Sequence, residues 1–227
     1  MTSYAPRTYG AVTMRYKAET PVSPTLAHAQ AAAEAKDDAT AVRYFEQALA
    51  EAPDDAATHM GLGQSLCKLG RRIEGTAHLL QAGLLLLPAA RLSRNIAALL
   101  VPISLLQRWS DFSAALQLAE QAVGINSADT RIHPLLALTY SQLNRTAEAL
   151  VAVKRALELD PENSMLHILQ ASLETDAGQS ASAKLRLEDV LSYELTAQEE
   201  FRAHKELARA LDKLGDYEQA FSHLHAA

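Results

Sequence analysis

The chain has 227 residues, of which 48% are hydrophobic, 21% charged and only 5% aromatic, the profile of a soluble all-helical protein dominated by Ala and Leu. Its net charge of −6 sets up a long-range field that repels a polyanion, which argues against a nucleic-acid partner. A single cysteine, Cys67, excludes an internal disulfide and a cysteine-based metal cluster, and the longest apolar runs, Leu84–Ala90 and Ile96–Leu106, are too short for membrane insertion.

Residues 1–21 carry Tyr4, Tyr9 and Tyr16 among Arg7, Arg15 and Lys17, without helical periodicity. They predict an extended or disordered arm, and they lack the apolar segment of a signal peptide, so a cytoplasmic location is expected. Two readings of the arm stay open: a loose leader, or a strap whose tyrosines pack onto the rest of the chain.

From residue 22 onward the sequence repeats. Ala48, Ala82, Ala122, Ala156, Val190 and Ala227 mark one position in six copies, at spacings of 34, 40, 34, 34 and 37 residues. The approximate copies are 22–55, 56–88, 91–129, 130–163, 164–197 and 201–227. Each holds two short amphipathic stretches around a polar turn, which predicts a pair of helices. In the first copy, Ala29, Ala32 and Ala33 make a weak first helix, whereas Ala41, Phe45 and Ala48 make a strong second one that stops at Pro53. The second copy reads His59-x2-Leu62-Gly63-x2-Leu66 with a turn at Leu69-Gly70. Glycine inside a helix costs about 1 kcal/mol against alanine, so Gly63 predicts a close helix approach that offsets it.

The third copy departs from the pattern. Its first helix is expected to begin at Arg91 and to kink or break at Pro102, making this copy a weak joint. Trp109-Ser110-Asp111 forms its turn, with Ser110 or Asp111 as N-cap. The fourth copy is the most regular; the fifth turns at Asp176-Ala177-Gly178 and packs Leu187 and Val190. The sixth reads His204-x2-Leu207-Ala208-x2-Leu211, turns at Gly215-Asp216-Tyr217 and runs to Ala227 inside its second helix. Such an uncapped end, with Leu211, Leu214 and Leu224, points to self-association through the C-terminal face or to a longer polypeptide.

No phosphate-binding loop, HExxH or GxSxG motif is present, and no segment reads as a strand, so neither catalytic residues nor a cofactor are expected. His59, His133, His167 and His204 share one position of the repeat. They are expected to be half-buried packing groups with a hydrogen-bonding tip, the alternatives being a metal ladder or a pH switch; one repeat of separation is too far for a shared ion. His223 and His225 are expected to be solvated, and Cys67 to be a small apolar group.

The fourth copy, with His133-x2-Leu136-Ala137-x2-Tyr140, then Ala149-x3-Val153, Ala156 and Pro161, resembles the thirty-four-residue tetratricopeptide repeat. The resemblance implies an all-α, right-handed superhelix of five to six antiparallel helix hairpins, a non-catalytic scaffold that binds a protein or peptide on the concave face of its first helices. Carried onto this sequence, that face would present Met60, Gln64, Cys67, Lys68, Leu100, Ser104, Arg108, Leu135, Leu138, Gln142, Ile168 and Ser172, with Val101, Gln107, Ser141, Leu169 and Thr175 beside them. Only Lys68 and Arg108 are basic and the matching asparagines are absent, which argues against the carboxylate-clamping kind of repeat. An apolar groove rimmed with amides suits an amphipathic helix or an extended apolar peptide. Leu214–Ala227, LGDYEQAFSHLHAA, further resembles the end of repeat segments that precede bacterial sulfotransferase domains, which implies a regulatory or substrate-recruiting part of a larger enzyme.

Overall fold

The computed structural model describes residues 23–226; the arm expected at residues 1–21 lies outside the described residues. Among those described there is no strand, and twelve helices follow one another as six hairpins. They are α1 (Pro24–Glu34) with α2 (Asp38–Glu51), α3 (Ala56–Lys68) with α4 (Arg72–Ser93), α5 (Ala97–Arg108) with α6 (Phe112–Ile125), α7 (Ile132–Gln142) with α8 (Thr146–Leu159), α9 (Ser164–Asp176) with α10 (Ser180–Val190), and α11 (Ala197–Leu214) with α12 (Tyr217–Ala226). Each hairpin packs on the next, and first helices also touch first helices, as in α5 with α7 and α9 with α11. This nearest-neighbour stacking is a solenoid.

One turn geometry produces all six hairpins. Lys36, Gly70, Ser110, Asn144, Gly178 and Gly215 occupy the same position of the repeat, and every one has a left-handed φ between 58° and 83°. The next residue then donates its backbone N–H back to the first helix, as Arg71 does to the Leu66 carbonyl (2.9 Å) and Asp216 to that of Leu211 (3.0 Å). Such a closure satisfies carbonyls that the helix end leaves open. Glycine adopts this φ freely, whereas a side chain there costs roughly 1–2 kcal/mol, so Lys36 and Ser110 are held against their preference by the packing on either side. The following helix starts at once. Asp37 and Asp111 cap α2 and α6 by accepting from the N–H groups of Thr40 (3.1 Å) and Ala114 (3.1 Å), which makes Asp111, not Ser110, the cap.

The third hairpin differs from expectation at both of its ends. The six additional residues of the long spacing are taken up by α4, whose 22 residues pass through Pro88 and close with Arg94 at φ 51°. Arg91 therefore belongs to α4, and the first helix of the third hairpin begins at Ala97. That helix continues through Pro102. Pro102 lies in its second turn, so the missing donor removes only the bond to the Ala98 carbonyl, and the ring is buried in compensation. Leu99, Ile103, Leu106 and Leu118 are all fully buried in the largest apolar cluster, which runs from α3 to α9. A buried Leu or Ile contributes about 1.5–3 kcal/mol, so this hairpin is held by an apolar core where the sequence predicts a break at Pro102. Smaller clusters hold α1 to α3 around Phe45 and α9 to α12 around Leu187 and Leu207. No helix among the described residues is long and apolar enough to cross a membrane.

Candidate functional site

Ser104, Gln107 and Arg108 lie three and four residues apart on α5 and so share one face of it; Leu138 and Gln142 do the same on the neighbouring α7. With Phe112, the first residue of α6, they line an open cavity of about 340 Å³. Its floor is a polar lock between two repeats. The Gln107 amide donates to the Leu135 carbonyl (2.8 Å) and to the Thr139 hydroxyl (2.7 Å), while that hydroxyl donates to the same carbonyl (2.6 Å). Leu138 stands 40% exposed above it, and Arg108, at the rim, makes no ion pair among the described residues. The hollow thus combines this polar floor with the apolar Leu138 and Phe112, the Gln142 amide and a cation.

Four of the residues expected on the concave face, Ser104, Arg108, Leu138 and Gln142, meet here. Leu100 and Leu135 are partly buried against the core beneath them, and Met60 and Gln64 are half-buried on α3. Lys68 is exposed but engaged, 3.1 Å from Asp38, and Ser172 is held by Arg209, which donates to its hydroxyl and its carbonyl at 2.8 Å. Cys67 and Ile168 do not face the groove; both are 4% exposed. Cys67 lies between α3 and α4, where burial pushes its thiol pKa up and keeps it unreactive. Ile168 points into the α9–α12 cluster. Phe112 escaped the sequence argument because that argument counted first helices only, yet the first residue after a short turn necessarily stands beside the end of the preceding helix.

The histidine position is a clamp. His59, His133 and His167 each place Nε2 against a carbonyl six residues back: Pro53 (3.0 Å), Ser127 (2.8 Å) and Pro161 (2.8 Å). A carbonyl only accepts, so Nε2 carries the proton and Nδ1 is left as an acceptor. For His59 and His167 the side chain nineteen residues on, in the paired helix, meets that nitrogen; after His133 that position is Ala152. His78 Nδ1 stands 2.9 Å from His59 Nδ1, and Arg186 Nη1 stands 3.4 Å from His167 Nδ1. His204 and His223 repeat the contact at 2.8 Å, so His223, expected to be solvated, is a partner of His204. Burial, and then the neighbouring imidazole, hold His78 and His223 below their ordinary pKa. Among the described residues no three or more His, Cys, Asp or Glu side chains are placed to hold a metal.

A second hollow, of about 410 Å³, lies where the lengthened α4 passes α6. Part of its polar lining is already engaged: Arg91 donates to Gln121 (2.6 Å), and Glu120 accepts from the Tyr140 hydroxyl (3.0 Å).

Stacked antiparallel helix pairs that share one turn and leave a groove between first helices define a helical-repeat scaffold. Residues 110–173 and residues 26–71 each match a tetratricopeptide-repeat family model, so the chain carries tetratricopeptide repeats. A tetratricopeptide repeat protein from Parabacteroides merdae is similar over 88% of this chain and 76% of its own, with 17% identity and a TM-score of 0.69. PilF of Pseudomonas aeruginosa matches over 88% and 86% (17% identity, TM-score 0.54). YrrB, described as a repeat protein with an unusual peptide-binding site, matches over 89% and 91% (16% identity, TM-score 0.53). At these identities the likeness concerns the fold alone. No curated protein matches the sequence.

Proposed function

We propose that the chain is a scaffold whose α5–α7 groove takes a short extended segment of a protein partner. The cavity carries this reading. Leu138 and Phe112 offer apolar contact, the Gln142 amide and the Gln107 side-chain carbonyl suit a peptide backbone, and Arg108 favours an acidic side chain at the rim. The peptide-binding site of the similarly folded YrrB lends support. The test is selection of a displayed random-peptide library on the full chain, followed by titration of the labelled winners. Leu138→Glu, a change at an exposed position, is expected to weaken binding tenfold or more, about 1.4 kcal/mol, with helical circular dichroism unchanged. Equal affinity for both proteins would overturn the reading. The likeness of Leu214–Ala227 to repeats that precede sulfotransferase domains supports a narrower form, in which the groove recruits a substrate for such an enzyme domain. Selection of peptides bearing an acceptor Tyr hydroxyl favours that form; their absence counts against it.

A further inference from the structure

The repeat register sets the last described hairpin apart from the others. Phe45, Leu79, Ala119, Val153, Leu187 and Leu224 hold one position on successive second helices. The first five are at most 2% exposed, and Leu224 is 59% exposed. One turn earlier, Val42, Thr76 and Leu116 are buried where Phe221 is 64% exposed. The difference lies in the covering element. In the first joint the Phe45 ring fills the space beside Gly61 of the following first helix, so closely that a Cβ on Gly61 would strike the ring. Four residues further along a first helix, Thr139 meets Gln107 of the preceding one. These two first-helix positions therefore face the preceding repeat, and in α1 they are occupied by Ala27 and Ala31, both exposed. The described array thus has one outer face with two large apolar side chains and, at its other end, Ala27 in the position at which Gly61 meets Phe45.

We propose that a second copy of this chain covers the α11–α12 face, its α1 taking the place of a following first helix, with Leu224 packed over Ala27 and Phe221 beside it. The contact continues an interface already formed between successive repeats within the molecule. It is head-to-tail, so each copy keeps one free face of each kind, and growth gives rings or open filaments.

Light scattering on the full chain over a concentration series tests it. The mass is expected to climb from 24.6 kDa through its multiples. Leu224→Glu and Ala27→Glu change exposed residues on opposite faces, so both should fold, as circular dichroism would verify, and each alone should remain monomeric. Mixed together they should form a dimer and stop there, because each retains the one face that the other has lost. A wild-type mass that never exceeds one chain overturns the proposal. So does assembly of Ala27→Glu to the wild-type extent, which would place two C-terminal faces against each other, and so does a mixture of the two variants that stays monomeric.

Discussion

The second and fifth hairpins fill equivalent positions with opposite chemistry. In the second, Gly63 and Gly75 bring α3 and α4 so close that a Cβ on Gly75 would lie 2.7 Å from the Gly63 carbonyl oxygen; nearby stand apolar Leu66 and the His59–His78 contact. In the fifth, the glycine positions are Ala171 and Ala183, the Leu66 position is Glu174 and the His78 position is Arg186. Glu174 is 5% exposed, yet it accepts from Gln170 (2.7 Å) and twice from Arg186 (3.0 and 3.2 Å). One hairpin is closed by backbone proximity and the other by a satisfied buried charge. The repeat dictates the turn and the helix spacing, and leaves open which force holds a given position.

The largest break in this comparison is Gly75→Leu. The new side chain meets backbone and the Cys67 sulfur, neither of which can yield, and overpacking of this kind costs about 3 kcal/mol. Urea unfolding should show the loss, and an unchanged midpoint would mean that α3 and α4 can part freely. Arg186→Ala comes next. It strands the Glu174 carboxylate, which costs about 3–5 kcal/mol at a fully buried pair. Because the Arg186 side chain is 27% exposed, water screens part of this and about 2 kcal/mol is expected. A loss no larger than that of Lys154→Ala would show that solvent already satisfies Glu174.

The smallest effect sharpens the contrast by pH. His78 faces His59, Glu74, Glu46 and Arg71, and His223 faces His204, Glu188 and Lys184; burial depresses both below the ordinary imidazole value of 6.5. The folded protein then binds fewer protons than the unfolded chain, so the stability linked to these groups is present above pH 6.5 and is lost as pH falls below it. Melting curves between pH 7.5 and 5.5 should show this decline. His78→Ala with His223→Ala should flatten it, and an identical slope in the double variant would remove the two histidines as its source.

Much of the fold was legible because it is written in periods and turns. Gly70, Gly178 and Gly215 mark the turns, and Asp111 marks a helix start. The lengthening of α4 was not legible, since Pro88 and Arg94 give no local sign that a helix continues to Ser93. Burial of Cys67 depends on how tightly its hairpin closes at Gly63 and Gly75, and that of Ile168 on how the α9–α12 helices meet; neither closeness is written in the local sequence. The histidine pairs were visible in principle as a recurring separation of nineteen, since that distance joins facing positions across a hairpin. They were overlooked because histidines were compared from repeat to repeat instead of from helix to helix.

Gln107 has a consequence beyond shaping the cavity floor. It is simultaneously the rivet between α5 and α7 and the lining of the hollow above them. Pulling the stack along its axis would load these hydrogen bonds, and a shift of α7 against α5 would reshape the hollow. One side chain thus ties the spacing of two neighbouring repeats to the shape of the hollow between them.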